Sequence, residues 1–204
     1  MSIQIMPIFS SFILQDTLKV DNEKLKDFCY GVWGKDPGRA VSNAGGWQSN
    51  DLPLSDPVWA ELFDEILLKM ERVTPILGLR KDIRYGITSV WVNINKKNNY
   101  NLTHNHGFAF LSGVYYVDAD HDTGDISFTN PNPKLEQVYL YANEKVNSHV
   151  VDQYNQFNSH TWDIRPETGK LLIFPGYLDH YVHANKTDKN RISVSFNIVL
   201  VNES

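Results

Sequence analysis

All seven histidines lie between residues 104 and 183. Imidazole is the side chain best suited to hold a metal or move a proton near neutral pH. His104-Asn105-His106 places two imidazoles at i and i+2, which on an extended strand point to the same face. Same-face imidazoles a few ångströms apart suit a divalent transition metal. About seventy residues later, Phe174-Pro175-Gly176 ends a strand in a turn and His180 opens the next one, with His183 three residues on. His180 and His183 compete as the third ligand. A His-x-His pair by itself is also what a solvated surface loop carries, so the rest of the constellation must decide. His121 sits in the turn Asp118–Asp122, and His149 and His160 have no partner at useful spacing.

The elements that would position these residues change character along the chain. Before about residue 83 the apolar period is that of a helix. Asp21 or Asn22 can cap a segment whose Leu25, Phe28, Cys29 and Val32 recur at three- and four-residue spacing, closed by Gly34 to Gly38. Ser55-Asp56-Pro57 caps a second helix, with Trp59, Leu62, Phe63, Ile66, Leu67 and Met70 on one stripe and Pro75 and Gly78 behind it. From residue 83 the period is two. Strands are expected at Ile83–Asn95, Ala109–Asp118, Asp125–Thr129, Ser159–Ile164, Lys170–Phe174, His180–Ala184 and Arg191–Asn202, separated by turn-forming residues. Lys134–Asn158 follows neither period, and its aromatic residues fit a lid over a pocket or a decorated edge hairpin equally well. We therefore expect one mainly β domain over residues 1–204, a mainly helical part at 1–82 packed on one sheet of a jelly-roll or cupin-like barrel at 83–202.

Composition narrows the function classes. The 204 residues carry 19 Lys and Arg against 24 Asp and Glu, a net charge of −5 that gives no strong nucleic-acid signal. Five Trp, ten Tyr and ten Phe favour strands and aromatic-lined pockets. The single cysteine excludes an intrachain disulfide and an all-cysteine metal site. No basic residue precedes Lys19 and no apolar run approaches a membrane span, so we expect a soluble, cytoplasmic protein without a signal peptide. Nothing in the sequence fixes an oligomeric state.

Taken in order, the motifs are Ser42-Asn-Ala-Gly-Gly-Trp-Gln-Ser49, then His104-Asn-His106 with Leu111-Ser-Gly-Val-Tyr-Tyr116, then Phe174-Pro175 with His180-Tyr-Val and Asn185, and finally Arg191-Ile-Ser-Val-Ser-Phe-Asn197. This ordered set resembles the double-stranded β-helix of Fe(II)/2-oxoglutarate-dependent dioxygenases. More closely, it is similar to the 2OG-Fe(II) oxygenase family known from marine bacteria and phages, over roughly residues 40 to 198. The resemblance implies Fe(II) as metal, 2-oxoglutarate as cosubstrate and ascorbate as a stimulant. It implies His104 as first ligand and His180 as distal ligand. Arg191, eleven residues after His180, would grip the far carboxylate of 2-oxoglutarate through its planar fork. Ser193 or Ser195, on the same strand face, would assist, and Tyr116 matches a tyrosine that binds the same carboxylate in prolyl hydroxylases. The departure is at the middle ligand, where Asp or Glu is usual and His106 stands. Three imidazoles remove one negative charge from the shell. Asp179 is the carboxylate alternative.

The implied activity is hydroxylation of a peptidyl or small-molecule substrate with release of succinate and CO₂. The rivals are a three-histidine cupin-type enzyme that does not use 2-oxoglutarate, in which Arg191 is structural, and a non-catalytic binding module on the same barrel. Asn93, Asn95 and Trp47 are candidate substrate contacts, with satisfied strand polar groups as the plain reading of the two asparagines.

Overall fold

The computed structural model of the protein describes residues 3–202. In chain order the elements are β1 (Leu14–Thr17), α1 (Asn22–Trp33), β2 (Asn43–Ala44), β3 (Trp47–Gln48), a 3-10 turn (Pro57–Trp59), α2 (Ala60–Val73), β4 (Ile83–Asn95), β5 (Tyr100–His104), β6 (Leu111–Asp118), β7 (Ile126–Thr129), α3 (Lys134–Val146), β8 (Thr161–Ile164), β9 (Lys170–Pro175), β10 (His180–Val182) and β11 (Arg191–Asn202). Six strands form one antiparallel sheet in the order β1-β9-β6-β11-β4-β3, and five form the other in the order β2-β5-β10-β7-β8. Two antiparallel sheets face each other with helices outside one of them, which is the double-stranded β-helix.

The strand alternation sorts the side chains into two layers. On β11 Ile192, Val194, Phe196 and Ile198 are fully buried on the face that meets α1 and α2, together with Val90, Val92 and Ile94 of β4. Trp59, Leu62, Ile66 and Met70 come from the helical side, and each such side chain contributes roughly 1.5–3 kcal/mol on burial. The intervening residues Arg191, Ser193, Ser195 and Asn197 face the other sheet and line a cavity. Between the sheets a smaller core of Val114, Tyr116, Phe128, Leu172 and Phe174 closes the barrel.

Asp21 caps α1, its carboxylate accepting from the Lys24 N–H at 3.0 Å, while Asn22 accepts from the Tyr115 hydroxyl at 2.7 Å and fastens the helix to β6. Cys29 is fully buried, and burial pushes its thiol up to about 12, so it packs as an apolar group. Close approach is required at Gly113 in β6, where an added Cβ would meet the Phe196 ring at 2.3 Å and the Leu172 carbonyl at 2.9 Å. Gly113→Ala should therefore cost roughly 1–3 kcal/mol of stability. An unchanged denaturant midpoint would show that β6 does not lie this close to Phe196.

The structure differs from the sequence expectations in four places. Lys134–Asn158 is neither lid nor hairpin: it holds α3, which has no buried residue, and none of it lines the cavity. The two-residue strands β2 and β3, and β1 on β9, are additional. β5 is likewise additional, with His104 its last residue and His106 beyond it, so the histidine pair does not share one strand. Finally, the helical segment after Asp56 opens with a 3-10 turn before α2.

Candidate active site

Two of the three imidazoles are set by strand register. His104, last in β5, is directly opposite His180, first in β10, and their ring centroids are 4.3 Å apart. His106 is brought in differently. Its backbone N–H donates to the Gly176 carbonyl at 2.8 Å, folding the chain back so that its ring stands 5.3 Å from both other rings. Gly176 has no room for a side chain there, since a Cβ would meet the Ala109 carbonyl at 2.2 Å. One ligand atom from each histidine lies within 4.8 Å of the other two.

Backbone carbonyls orient two of the rings. His104 Nδ1 lies 2.7 Å from the Leu102 carbonyl and His180 Nδ1 lies 2.9 Å from that of Leu178. A carbonyl only accepts, so each Nδ1 carries the proton and each Nε2 keeps its lone pair, as a metal-binding histidine requires. His106 has no such partner among the described residues and rests beside the Trp91 indole at 5.7 Å. Phe174 packs on His180 from another side at 4.8 Å.

Burial, and then the neighbouring imidazoles, push His180 down to about 3; burial and then His104 push His106 down to about 4; burial also lowers His104. His180 and His106 are neutral at pH 7 and well below, and burial favours the neutral form of His104 as well. A metal entering the site near neutral pH displaces few protons. Metal affinity should therefore fall less steeply with falling pH than that of a solvated cluster, which loses affinity as pH falls through about 6.5. For the metal-free protein the sign is equally definite. The folded values lie below the unfolded one, so the contribution to stability is present above about pH 6.5 and is lost as pH falls toward 4 and then 3. Calorimetric titration of Ni(II) at stepwise lower pH checks the first, and melting of the metal-free protein checks the second.

No carboxylate joins this cluster among the described residues. Asp179 is turned outward, its carboxylate accepting from the Asn105 side chain at 2.7 Å, and His183 stands 3.9 Å from Asp163. The geometry gathers His106 and His180, and it leaves Asp179 and His183 outside.

Arg191, first in β11, is 2% exposed, and no acid pairs with it among the described residues. Its Nη1 donates to the carbonyls of Thr123 at 2.8 Å and Gly124 at 3.0 Å. Burial opposes its charge while Tyr116 works in the opposite sense, and guanidinium stays protonated. Burial pushes the Tyr116 phenol up to about 12, so it remains a hydrogen-bond donor. Tyr116 and Ser193 are cross-strand neighbours, and Ser193 is in turn opposite Asn93. Ser195 is engaged, accepting from the Asn93 side chain at 3.1 Å.

The three histidines, Arg191, Tyr116, Ser193, Ser195 and Asn93 line one cavity of about 260 Å³. Two expected contacts do not. Asn95 is buried behind Gly46, and Trp47 donates its indole N–H to the Asp36 carbonyl at 3.1 Å, lining a separate depression with Trp33. The sequence reading missed Ser42, which contacts His104 at 3.4 Å, as well as Arg39, Asp51 and Gln48 in the cavity wall. Ser42 and Gln48 had only their position within the Ser42–Ser49 motif as a signal, and Arg39 and Asp51 flank it.

The residues fit both partners of an oxidative site. Three neutral imidazoles suit a divalent metal, and a buried guanidinium with no acid among the described residues, beside a phenol donor, suits a carboxylate. Fold and site together define the Fe(II)/2-oxoglutarate oxygenase class. Residues 89–197, over half of the chain, match the family described as "Putative 2OG-Fe(II) oxygenase", and the chain belongs to it. With the family come oxidoreductase activity, Fe(II) and 2-oxoglutarate.

Solved structures agree on the fold. A prolyl-4-hydroxylase from Pseudomonas putida matches at TM-score 0.54 and 15% identity, with 91% of each chain covered. The α-ketoglutarate-dependent epimerase SnoN of nogalamycin biosynthesis matches at TM-score 0.66 and 12% identity, over 95% of this chain and 81% of that one. HygX from Streptomyces hygroscopicus, solved with nickel and 2-oxoglutarate, matches at TM-score 0.56 and 13% identity, over 92% and 82%. No curated protein sequence matches the chain. Among the described residues, no helix is long and apolar enough to cross a membrane.

Proposed function

We propose that the protein is a hydroxylase acting on a C–H bond of a small molecule or a peptidyl side chain, with His104, His106 and His180 as metal ligands. Arg191, Tyr116 and Ser193 hold the far carboxylate of 2-oxoglutarate. The observation that carries this reading is the shared cavity: three convergent imidazoles and a buried guanidinium with no acid partner line the same space. With Fe(II) and 2-oxoglutarate bound, dioxygen would be the oxidant and 2-oxoglutarate the two-electron cosubstrate, one oxygen atom going to the substrate and the other to succinate as CO₂ leaves. The chain's own groups bind and orient. The Leu102 and Leu178 carbonyls fix two imidazole tautomers, and Arg191 and Tyr116 set the direction of the cosubstrate. Trp91 packs beside His106, and Phe128 and Phe174 pack on His180.

Incubation with Fe(II), ascorbate and 2-oxoglutarate tests it. Succinate should form, dependent on both iron and 2-oxoglutarate. Stoichiometric metal binding without succinate would favour the cupin-type reading, and absence of both would favour a binding module.

A further inference from the structure

The cavity wall holds polar groups that the proposed chemistry does not use. Gln48 is 5% exposed, lines the cavity, and its carboxamide makes no hydrogen bond among the described residues. It lies opposite Asn93 in the β3–β4 pairing, which turns its side chain to the cavity side, two strands along the sheet from Arg191. At the usual spacing that is roughly 10 Å. Arg39 is its neighbour, donating its backbone N–H to the Gln48 carbonyl at 2.8 Å, and it lines the same cavity. One Arg39 nitrogen, Nη2, meets Asp51 at 2.7 Å, while Nε has no partner.

The charge inside the cavity points the same way. A divalent metal and Arg191 bring three positive charges, and 2-oxoglutarate returns two negative ones. In the usual ligand set a carboxylate supplies the third. Here His106 stands instead, and Asp51, the one acid lining the cavity among the described residues, is engaged by Arg39 and largely exposed. Asp179 lies outside the wall, held by Asn105. A residual positive charge in a buried site calls for an anion.

We propose that the substrate supplies that anion: it presents a carboxylate that Arg39 and Gln48 receive on the side of the cavity away from Arg191. The inference rests on the oxygenase reading above. Arg39 offers N–H donors in a plane and Gln48 adds an amide N–H, a donor set matched to the two oxygens of a carboxylate.

The test uses the full chain loaded with Ni(II) and saturated with 2-oxoglutarate, so that the Arg191 end is filled. If the wild type fails to take up Ni(II) and 2-oxoglutarate, the oxygenase reading has failed before the substrate question arises. With both bound, calorimetry compares N-acetylglycine with N-acetylglycinamide, and acetyl-Gly-Asp-Gly-amide with its Asn counterpart. The acid of at least one pair should bind tenfold or more tightly than its neutral partner. Preference in the first pair assigns a small acid, and preference in the second an acidic peptide. Arg39→Gln and Gln48→Leu should each erase most of the preference while Ni(II) and 2-oxoglutarate affinities stay within twofold. Asp51→Asn should strengthen acid binding severalfold by removing a competing carboxylate. His106→Asp, which returns a negative charge to the metal shell, should weaken it severalfold. Equal binding within both pairs overturns the proposal, as does a preference that survives in both Arg39→Gln and Gln48→Leu.

Discussion

Arg191→Ala protein is expected to bind metal as the wild type does and to bind 2-oxoglutarate at least a hundredfold more weakly. The guanidinium is 2% exposed and faces no acid among the described residues, so the carboxylate it would receive has no other full countercharge in the cavity wall nearby. Truncating one member of a buried, hydrogen-bonded charge pair costs about 3–5 kcal/mol, and each 1.4 kcal/mol is about tenfold in affinity. Arg191→Lys should keep part of the affinity as a point charge without the fork. Arg191 caps no turn at 188–190 against a surface acid among the described residues. Nη1 reaches across to the carbonyls of Thr123 and Gly124. Those two bonds are lost in the Ala variant, so its melting temperature must be measured beside its affinity. Titration of 2-oxoglutarate into Ni(II)-loaded wild type and variant decides the matter, and equal affinities would mean that the cosubstrate lies elsewhere.

Removing His104 or His180 should reduce metal content to background while the barrel stays folded. Each supplies one of three ring nitrogens, and a two-nitrogen remnant from the other strand and a loop is a poor chelate. The rings pack chiefly on one another and on Trp91, Phe128 and Phe174, so the helix-facing core is untouched. Alanine at His183 or Asp179 should leave metal binding unchanged, because neither joins the cluster. Metal analysis of the four purified variants is the measurement. Undiminished metal in both His104→Ala and His180→Ala would remove the assignment.

Long strands buried on alternate faces were legible in the sequence. β4 and β11 run from Ile83 to Asn95 and from Arg191 to Asn202, as their period of two predicts, because every second residue meets the helices. α3 was not legible, since a helix that buries nothing has no apolar stripe to read. β2 and β3 are too short to show a period at all. The histidine pair shows proximity reached by another route. His104 and His106 converge through a loop bonded back to Gly176, and the strand argument applies only to the first of them. Arg191 was singled out by resemblance, for its spacing alone would fit a turn residue. Gln48 gave no local signal, because its burial depends on a pairing with Asn93 that lies 45 positions away.

The unequal anchoring of the three imidazoles has a consequence for exchange with solvent. His104 and His180 belong to paired strands, whereas His106 is carried by a segment tied back through the bonds of His106 to Gly176, Gly176 to Phe110 and Asn105 to Asp179. Such a segment opens locally at less cost than the sheets do. An ion held by all three rings stitches the loop to β5 and β10, and its binding free energy is added to the cost of opening. The His106 amide should then be the reporter of occupancy: deuterium enters it readily in the metal-free chain and slowly once Ni(II) is bound, while amides in the middle of β11 exchange at one rate in both.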